Sequence, residues 1–504
     1  MTTIWLTGMM GAGKSTVAPL VAARLNRESH DTDALVELRT GSTVEDLFAA
    51  GEARFRVEEA AAVQAVAGSW AVVACGGGVV LDADLVADMR RTGVVVWLRA
   101  PVEVLEARTF ADRPLLAGDS GALRRIAAER EGRYRAAADL VVDAVGAPEE
   151  VAARVVAAVS TVGGVTQVVV GREVLGPEEV LGGAAPATCA LLTQPGASSV
   201  AARVARGIEA SGIRTEVIEV PDREGAKSWS TVERVCMELA TARVGRGDLL
   251  MGVGGGAVTD LTGFVAAIYL RGVRVHFVAT TLLAAVDAAI GGKSGIDVGG
   301  KNLVGAFRHP ERVVIDLDVL GELPVRLIRE GLAEALKAGL VGDPGLVELL
   351  ERHSTAADLE EVVARSHAVK ARIVGRDFTD RSERAHLNYG HTVGHAVESV
   401  SGIPHGDAVA IGMIAAGRAS ALDAGFDGEQ RQRDVIAGLG LPVATATSVD
   451  PAAILEHMAL DKKRGRKGTR MVLLEAVGRP TVTAVGPATV DAALAAAGVL
   501  GGES

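Results

Sequence analysis

The chain has 504 residues, with 52 lysines and arginines against 63 aspartates and glutamates, a formal charge of −11, and 49% hydrophobic but only 3% aromatic residues. That length exceeds one ordinary core and suggests about three domains or fewer, and the acidic balance argues against a general nucleic-acid binder, which presents a basic patch. Three scattered cysteines (Cys75, Cys189 and Cys236) without a CxxC pair argue against a disulfide framework or a thiolate zinc site. The start of the chain lacks a basic-then-apolar signal segment, and no apolar run reaches about 18 residues, so no membrane partner and a cytoplasmic location are expected.

In chain order, strand-like segments Ile4–Thr7, Ala71–Ala74, Val94–Leu98 and Leu140–Asp143 alternate with Ala- and Arg-rich helical stretches. This predicts a parallel sheet covered by helices over residues 1–160. The Gly-Gly-bearing stretch Thr-Val-Gly-Gly-Val-Thr at 161–166 reads as a linker. A second alternation runs through Val168–Val170, Thr188–Thr193, Glu216–Val220, Leu249–Val253, Val273–Ala279 and Val313–Asp316. It predicts an α/β nucleotide-binding domain over 167–323. After Pro324 the chain turns to long Ala/Leu/Val helical stretches, interrupted at Met471–Leu474, so 324–504 reads as a mainly α-helical, metal-binding domain.

Gly8-Met-Met-Gly-Ala-Gly-Lys14-Ser15-Thr16 fits the G-x-x-x-x-G-K-[ST] phosphate loop, between a strand and a helix as that motif requires. Residues Gly11, Ala12, Gly13, Lys14, Ser15 and Thr16 are the expected ATP cradle, with Lys14 on the β/γ-phosphates and Ser15 on Mg2+. Asp31-Thr-Asp33 suits Mg2+ or a substrate hydroxyl, or equally a helix N-cap. Phe55-Arg56, Cys75–Gly78 and Arg113-Pro-Leu-Leu116 are weak signals singly. In this order, with Arg39-Thr-Gly41, Gly51–Arg56 and Arg130 before Tyr134, residues 1–160 closely resemble shikimate kinase. The resemblance implies that Asp33, Arg56, Gly77 and Arg130 hold shikimate, with Asp33 also the base for the acceptor hydroxyl. It places Arg113 in a mobile lid that reaches the transferred phosphate. The arginine that relatives often place by the adenine is missing near Asp143–Pro148.

Farther on, Gly254-Gly-Gly256 follows the apolar run Leu249–Val253, a weak dinucleotide signal by itself. Asn388, His391 and His395 share one helical face, His405 follows, and Glu334 lies in Gly331–Lys337. One carboxylate with two or three imidazoles suits Zn2+ with an open position, and spacing alone would count His395 among the ligands. Gly-flanked Lys293 and Lys301, with Lys227, Arg271, Lys337, Lys370 and Arg384, could build a cationic pocket.

Taken together, Pro221 to Lys227, Gly254–Asp260, Arg271-Gly272, Thr280–Leu283, Asp287, Gly291–Lys293, Gly300–Asn302, Gly331–Lys337, Asn388–His395, His405-Gly406 and Asp461–Lys463 resemble 3-dehydroquinate synthase across 167–504. The resemblance implies Glu334, His391 and His405 as ligands of a divalent metal, Zn2+ or Co2+, with His395 turned to substrate. It implies Glu224, Lys227, Gly255, Gly256, Asp260, Thr280, Thr281 and Lys301 for NAD. Arg271, Asp287 and Asn302 would bind substrate; Lys293, Lys337, Lys370, Arg384, Asn388 and His395 would act in catalysis, with a lysine of Lys462-Lys463 nearby.

The expectation is a bifunctional enzyme acting on small molecules: ATP-dependent 3-phosphorylation of shikimate, and NAD- and metal-dependent conversion of 3-deoxy-D-arabino-heptulosonate 7-phosphate to 3-dehydroquinate. Other sugar-phosphate cyclase chemistry in the second half, or a non-catalytic kinase scaffold, are the alternatives. The resemblance adds a homodimer through the synthase half.

Overall fold

The computed structural model describes residues 3–25, 27–109, 121–159, 161–162, 166–445, 449–462 and 469–500. Contacts divide the chain once, into Met1–Ser160 and Thr161–Ser504. Among the described residues no helix is long and apolar enough to cross a membrane.

In the first unit, β1 (Thr3–Thr7), β2 (Glu28–Asp31), β3 (Ala71–Ala74), β4 (Gly93–Arg99) and β5 (Leu140–Asp143) form a sheet in the order β2-β3-β1-β4-β5. Every pair in it is parallel. Strands β1 and β3 are buried along their whole length, as strands covered on both faces must be. The helix Lys14–Arg24 leaves the carboxyl end of β1 directly after Gly13, whose φ of 87° admits glycine readily. That turn places the phosphate loop at the end of the central strand, where parallel α/β sheets bind ligands.

The second unit carries β6 (Thr161–Val162), β7 (Thr166–Gly171), β8 (Thr188–Thr193), β9 (Arg214–Glu219), β10 (Leu249–Gly254), β11 (Arg274–Ala279), β12 (Lys293–Ile296), β13 (Val304–Phe307), β14 (Arg312–Asp316), β15 (Thr469–Ala476) and β16 (Arg479–Val485). Seven of them form one sheet, β6-β7-β14-β11-β10-β8-β9; β12-β13 and β15-β16 are separate hairpins. The stretch expected as a linker contributes to this sheet: Thr161–Val162 pairs antiparallel with β7. Lys293 opens β12, within a Gly-rich stretch whose hairpin sequence periodicity does not announce.

Pro324 marks a change of secondary structure and not of core. One cluster of buried side chains runs from Val275 and Val313 of the sheet through Leu336 and Val409 of the helices to Leu494. Four helices of this region carry site residues expected from the sequence: Val325–Gly342, Leu359–Arg376, His391–Ser401 and His405–Asp423. The last two touch backbone to backbone. A methyl group at Gly412 would lie 2.7 Å from the Gly394 nitrogen and 2.9 Å from the Gly390 carbonyl carbon. One at Gly394 would lie 2.9 Å from the Ala408 oxygen. Small residues at this crossing therefore decide how close His391 and His405 can come. Gly412→Ala should destabilise the second unit by about 1–3 kcal/mol, as overpacking a filled core does. A urea midpoint unchanged from the parent chain would contradict this packing argument.

Candidate functional site

In the first unit, Lys14 folds back over its own loop, donating to the carbonyls of Gly8 (2.8 Å) and Met9 (3.1 Å). Ser15 and Thr16 stand exposed at the N-terminus of the helix, where unpaired N–H groups favour an anion. The two aspartates of Asp31-Thr-Asp33 separate in role. Asp31 is the N-cap of Thr32–Thr40, accepting from the Asp33 backbone N–H at 3.0 Å. The Asp33 carboxylate turns to Gly76, where a Cβ would meet its Oδ1 at 3.0 Å. Thr32 Oγ1 accepts from the Gly76 N–H at 2.8 Å, tying the start of the helix Thr32–Thr40 to this turn.

Gly76–Gly78 is the meeting point of the predicted acceptor residues. The Gly77 carbonyl accepts from Tyr134 (2.6 Å) and Arg130 Nη1 (3.1 Å), and the Arg56 guanidinium packs on Gly78. A Cβ at Gly77 would stand 3.7 Å from the Gly8 oxygen, so the acceptor turn adjoins the phosphate loop. Arg56 is held by Glu59 (2.6 Å) and Glu52 (2.9 Å). Glu59 is 1% exposed. Its carboxyl is raised by burial against the pull of Arg56, with Asp33 adding repulsion. Sequence reading missed Glu59, although its position three residues after Arg56 was a signal. It also missed Arg108, which donates to Gly11 (3.4 Å), Ala144 (3.0 Å) and Gly146 (3.2 Å). The arginine absent from Asp143–Pro148 is thus brought there from another helix. Arg113 lies outside the described residues.

In the second unit, Gly255 and Gly256 open the helix Gly256–Ile268 at the carboxyl end of β10, with Thr281 packed against Gly255. The Thr280 N–H reaches the Gly254 carbonyl at 3.0 Å. Lys227 is buried; it donates to Asp260 (2.8 Å) and Asn302 Oδ1 (2.5 Å) and faces Glu224 at 3.5 Å. Burial opposes its charge, but Asp260 and Glu224 outweigh that and hold the ammonium above its ordinary range. Asn302, expected at the substrate, is thus bonded to Lys227, a residue expected at NAD. Lys301 pairs instead with Glu398 at 2.5 Å.

The metal candidates converge across three helices. Glu334 Oε1 lies 3.3 Å from His391 Nε2 and 3.2 Å from His405 Nε2, and its carboxylate also pairs with Lys337. Burial resists its charge, yet Lys337 and His391 hold it well below the usual carboxylate range. Burial would likewise lower His405, but hydrogen bonds to Glu334 and Glu398 raise it to about 10. His391 Nδ1 meets the Tyr389 carbonyl at 3.2 Å, which sets its ring orientation. His395 packs beside both rings but stays exposed on one edge; crowding by the protein, then His391 and His405, keep its imidazole neutral.

Family models settle the assignment. Residues 10–160 match "Shikimate kinase", 217–330 "3-dehydroquinate synthase N-terminal" and 331–464 "3-dehydroquinate synthase C-terminal". The 3-dehydroquinate synthase of Thermobifida fusca (strain YX) is 41% identical over 341 residues, 66% of this chain and 92% of the relative. The chain belongs to the 3-dehydroquinate synthase family, with a shikimate kinase unit ahead of it. That of Synechococcus sp. is 42% identical over 295 residues, 56% of this chain and 80% of the relative. Among solved structures, 2-epi-5-epi-valiolone synthase from Streptomyces hygroscopicus, with NAD+ and Zn2+ bound, has 25% identity and a TM-score of 0.60, covering 66% of this chain and 96% of that one. A 2-deoxy-scyllo-inosose synthase with carbaglucose-6-phosphate, NAD+ and Co2+ has 25% identity and a TM-score of 0.59, covering 64% and 94%. Both enzyme activities of the shikimate pathway are therefore carried on one chain.

Beside the metal candidates, two buried lysines share one anion. Asp287 accepts from Lys370 at 2.7 Å and stands 3.6 Å from Lys337. Arg384 donates to the Gly291 (2.8 Å) and Phe378 (2.7 Å) carbonyls, and Asp377 holds its loop by accepting backbone N–H groups from Arg381, Ser382 and Arg384. Lys293 pairs with Asp380. Asn388, expected on one helical face with His391 and His395, is exposed and ends the short 3-10 turn Glu383–Asn388 instead; the non-helical Tyr389 and Gly390 separate it from the helix His391–Ser401. Arg271 is exposed on the corner before β11, and among the described residues no hydrogen bond or ion pair joins it to the other pocket residues. The side chains of Lys462 and Lys463 lie outside the described residues.

Burial works against the Asp287 charge, but Lys337 and then Lys370 outweigh it and hold the carboxyl at about 2. This is below the unfolded value of 3.8, so its stabilisation is complete above about pH 4 and fades as the pH falls through about 2. Asp287→Asn leaves buried Lys370 without its counter-ion and Lys337 with Glu334 alone, and should cost about 3 kcal/mol at neutral pH. Chemical denaturation at pH 7 checks this; a loss below about 0.5 kcal/mol would show that solvent already screens the cluster.

Proposed function

We propose that the first unit phosphorylates the 3-hydroxyl of shikimate with ATP and Mg2+, and that the second converts 3-deoxy-D-arabino-heptulosonate 7-phosphate to 3-dehydroquinate with release of inorganic phosphate. The observation that carries the kinase reading is the apposition of the phosphate loop and the Gly76–Gly78 turn, with Asp33 and Arg56 both on that turn. Gly11, Ala12 and Gly13 would offer backbone N–H groups to the phosphates, Lys14 their charge partner, and Ser15 its hydroxyl to Mg2+. Arg56 and Arg130 would hold the substrate carboxylate, Arg56 oriented by Glu52 and Glu59. Asp33 would take the proton of the acceptor hydroxyl as it attacks the γ-phosphorus and the bond to ADP breaks. Arg108 supports a nucleotide contact on the far side of the loop. Arg113 is proposed for the lid.

For the synthase, the carrying observation is the convergence of a buried carboxylate and two imidazole Nε2 atoms on one point. That donor set, with the His391 ring pinned by the Tyr389 carbonyl, fits Zn2+ or Co2+. The helix N-terminus at Gly255–Gly256, with Lys227, Thr280 and Thr281 beside it, fits the diphosphate of NAD. Bound there, NAD would supply a reversible hydride acceptor for a ring carbinol carbon, and the metal held by Glu334, His391 and His405 a Lewis acid for its oxygen. The protein's own groups would position the rest. Lys293 and Asn388, both exposed, and Arg271 suit the departing phosphate. Lys370, Arg384 and Lys337 suit the carboxylate and hydroxyls by fixed positive charge. His395, held neutral, can accept or deliver a proton near the metal side.

Phosphate release from the heptulosonate phosphate should require NAD, fall to background with a chelator and return with Zn2+ or Co2+. Release indifferent to both additions would overturn the synthase assignment, and preference for another ketose phosphate would reassign its substrate. In the kinase assay, Lys14→Ala should slow ATP-dependent shikimate phosphorylation by about 10²–10³-fold, the loss expected for one preorganised charge partner. The same variant should leave heptulosonate phosphate turnover at the parent rate; equal loss of both activities would contradict separate sites.

A further inference from the structure

Glu398 is absent from the set of residues that the chemistry above employs, yet its carboxylate touches both His405, proposed for the metal, and Lys301, expected at NAD. It lies on the helix His391–Ser401, seven residues after His391 and three after His395, so all three project from one face. Its Oε2 faces His405 Nδ1 at 3.1 Å and its Oε1 accepts from Lys301 Nζ at 2.5 Å. The two contacts differ in depth: the Glu398 side chain is 12% exposed, that of Lys301 32%. His405 opens the next helix and Lys301 lies in the turn between β12 and β13, so the carboxylate joins three separate elements.

A carboxylate on Nδ1 dictates what the other ring nitrogen can do. It accepts the Nδ1 proton, so the lone pair of a neutral His405 is left on Nε2, the atom that faces Glu334. A metal arriving at Nε2 fixes that ring and thereby fixes the oxygen of Glu398 that serves it. The second oxygen is then presented to Lys301 in one place. Without that tie, the long Lys301 side chain would lose rotamer freedom only on binding its ligand, a cost that ordering in advance removes.

We propose that Glu398 is a positioning residue that couples the metal centre to the NAD site: by holding His405 Nδ1 with one oxygen and Lys301 with the other, it makes metal and NAD bind with mutual reinforcement. This rests on the reading of His405 as metal ligand and Lys301 as NAD residue given above. The metal need not touch NAD for this to operate, because linkage through a shared side chain is reciprocal. Glu398 also lies within ligand distance of His395 and His405 as a second possible cluster, and the experiment separates direct ligation from positioning.

The test uses the full chain without substrate. Metal affinity is measured by competition with a chromophoric chelator, with and without NAD, and NAD affinity by calorimetry, with and without metal. In the parent chain each should raise the affinity of the other by the same factor, about fivefold or more. Glu398→Ala should weaken metal binding about 10–100-fold, the usual effect of losing a carboxylate behind a histidine ligand, and bring the coupling factor to about one. Glu398→Gln keeps the shape and an acceptor for His405 but loses the charge on Lys301; it should keep most of the metal affinity and lose the coupling. Lys301→Met, measured without NAD, should leave metal affinity within about fivefold of the parent.

Co2+ supplies the signature that a merely structural role would not give: its visible spectrum in Glu398→Gln should match the parent's, because the ligands are unchanged. Coupling that survives in Glu398→Gln, metal affinity in Glu398→Ala within twofold of the parent, or a Co2+ spectrum altered in Glu398→Gln would each overturn the inference. Failure of the parent chain to bind NAD or metal at all would instead overturn the functional reading, and the inference with it.

Discussion

The Glu334 carboxylate is the interaction on which the second unit turns. A buried anion is costly unless charge surrounds it. Here the compensation comes from Lys337 one turn along its own helix, His391 from a second helix and His405 from a third. Three helices must therefore meet at one point. They can do so because Gly390, Gly394 and Gly412 let the two histidine-bearing helices approach along their backbones. Electrostatics sets the demand and small residues make it sterically possible.

The same logic repeats one step outward. Asp287 serves Lys370 and Lys337, and Glu398 serves His405 and Lys301, so neighbouring anions each share two cations. In a chain of net charge −11, this concentrates buried positive charge in one region of an otherwise acidic protein. Such a concentration of positive charge attracts anions. The kinase unit solves its own version with a different device. Its fixed partial charge comes from backbone N–H groups at a helix start, and its guanidinium, Arg56, is braced by Glu52 and Glu59.

Legibility followed how local each signal was. The phosphate loop was readable because its function uses consecutive backbone groups between a strand and a helix. Asp31 and Asp33 were not separable from their letters: capping and catalysis ask for the same side chain, and only the N-cap hydrogen bond at Asp31 tells them apart. Glu59 and Arg108 act on partners supplied by other segments, so neither stood out. Helical spacing grouped His391 with His395, whereas the ring that shares Glu334 with His391 is His405. Asn302 read as a substrate residue and is bonded to Lys227. The β12-β13 hairpin escaped because glycine-rich stretches carry little periodicity.

By itself, then, the order of residues determined the alternation of strands and helices, the phosphate loop and the inventory of ionisable groups, since each depends on propensity and spacing over a few residues. The tertiary structure decided which of those groups meet. It assigned Glu334 to His391 and His405, Lys227 to Asp260 and Asn302, and Glu398 to both His405 and Lys301. It also drew Thr161–Val162 into the sheet and carried one core across Pro324. These outcomes depend on helix crossings and strand order between distant segments, where buried charge and close packing select one arrangement among many that the same local patterns allow.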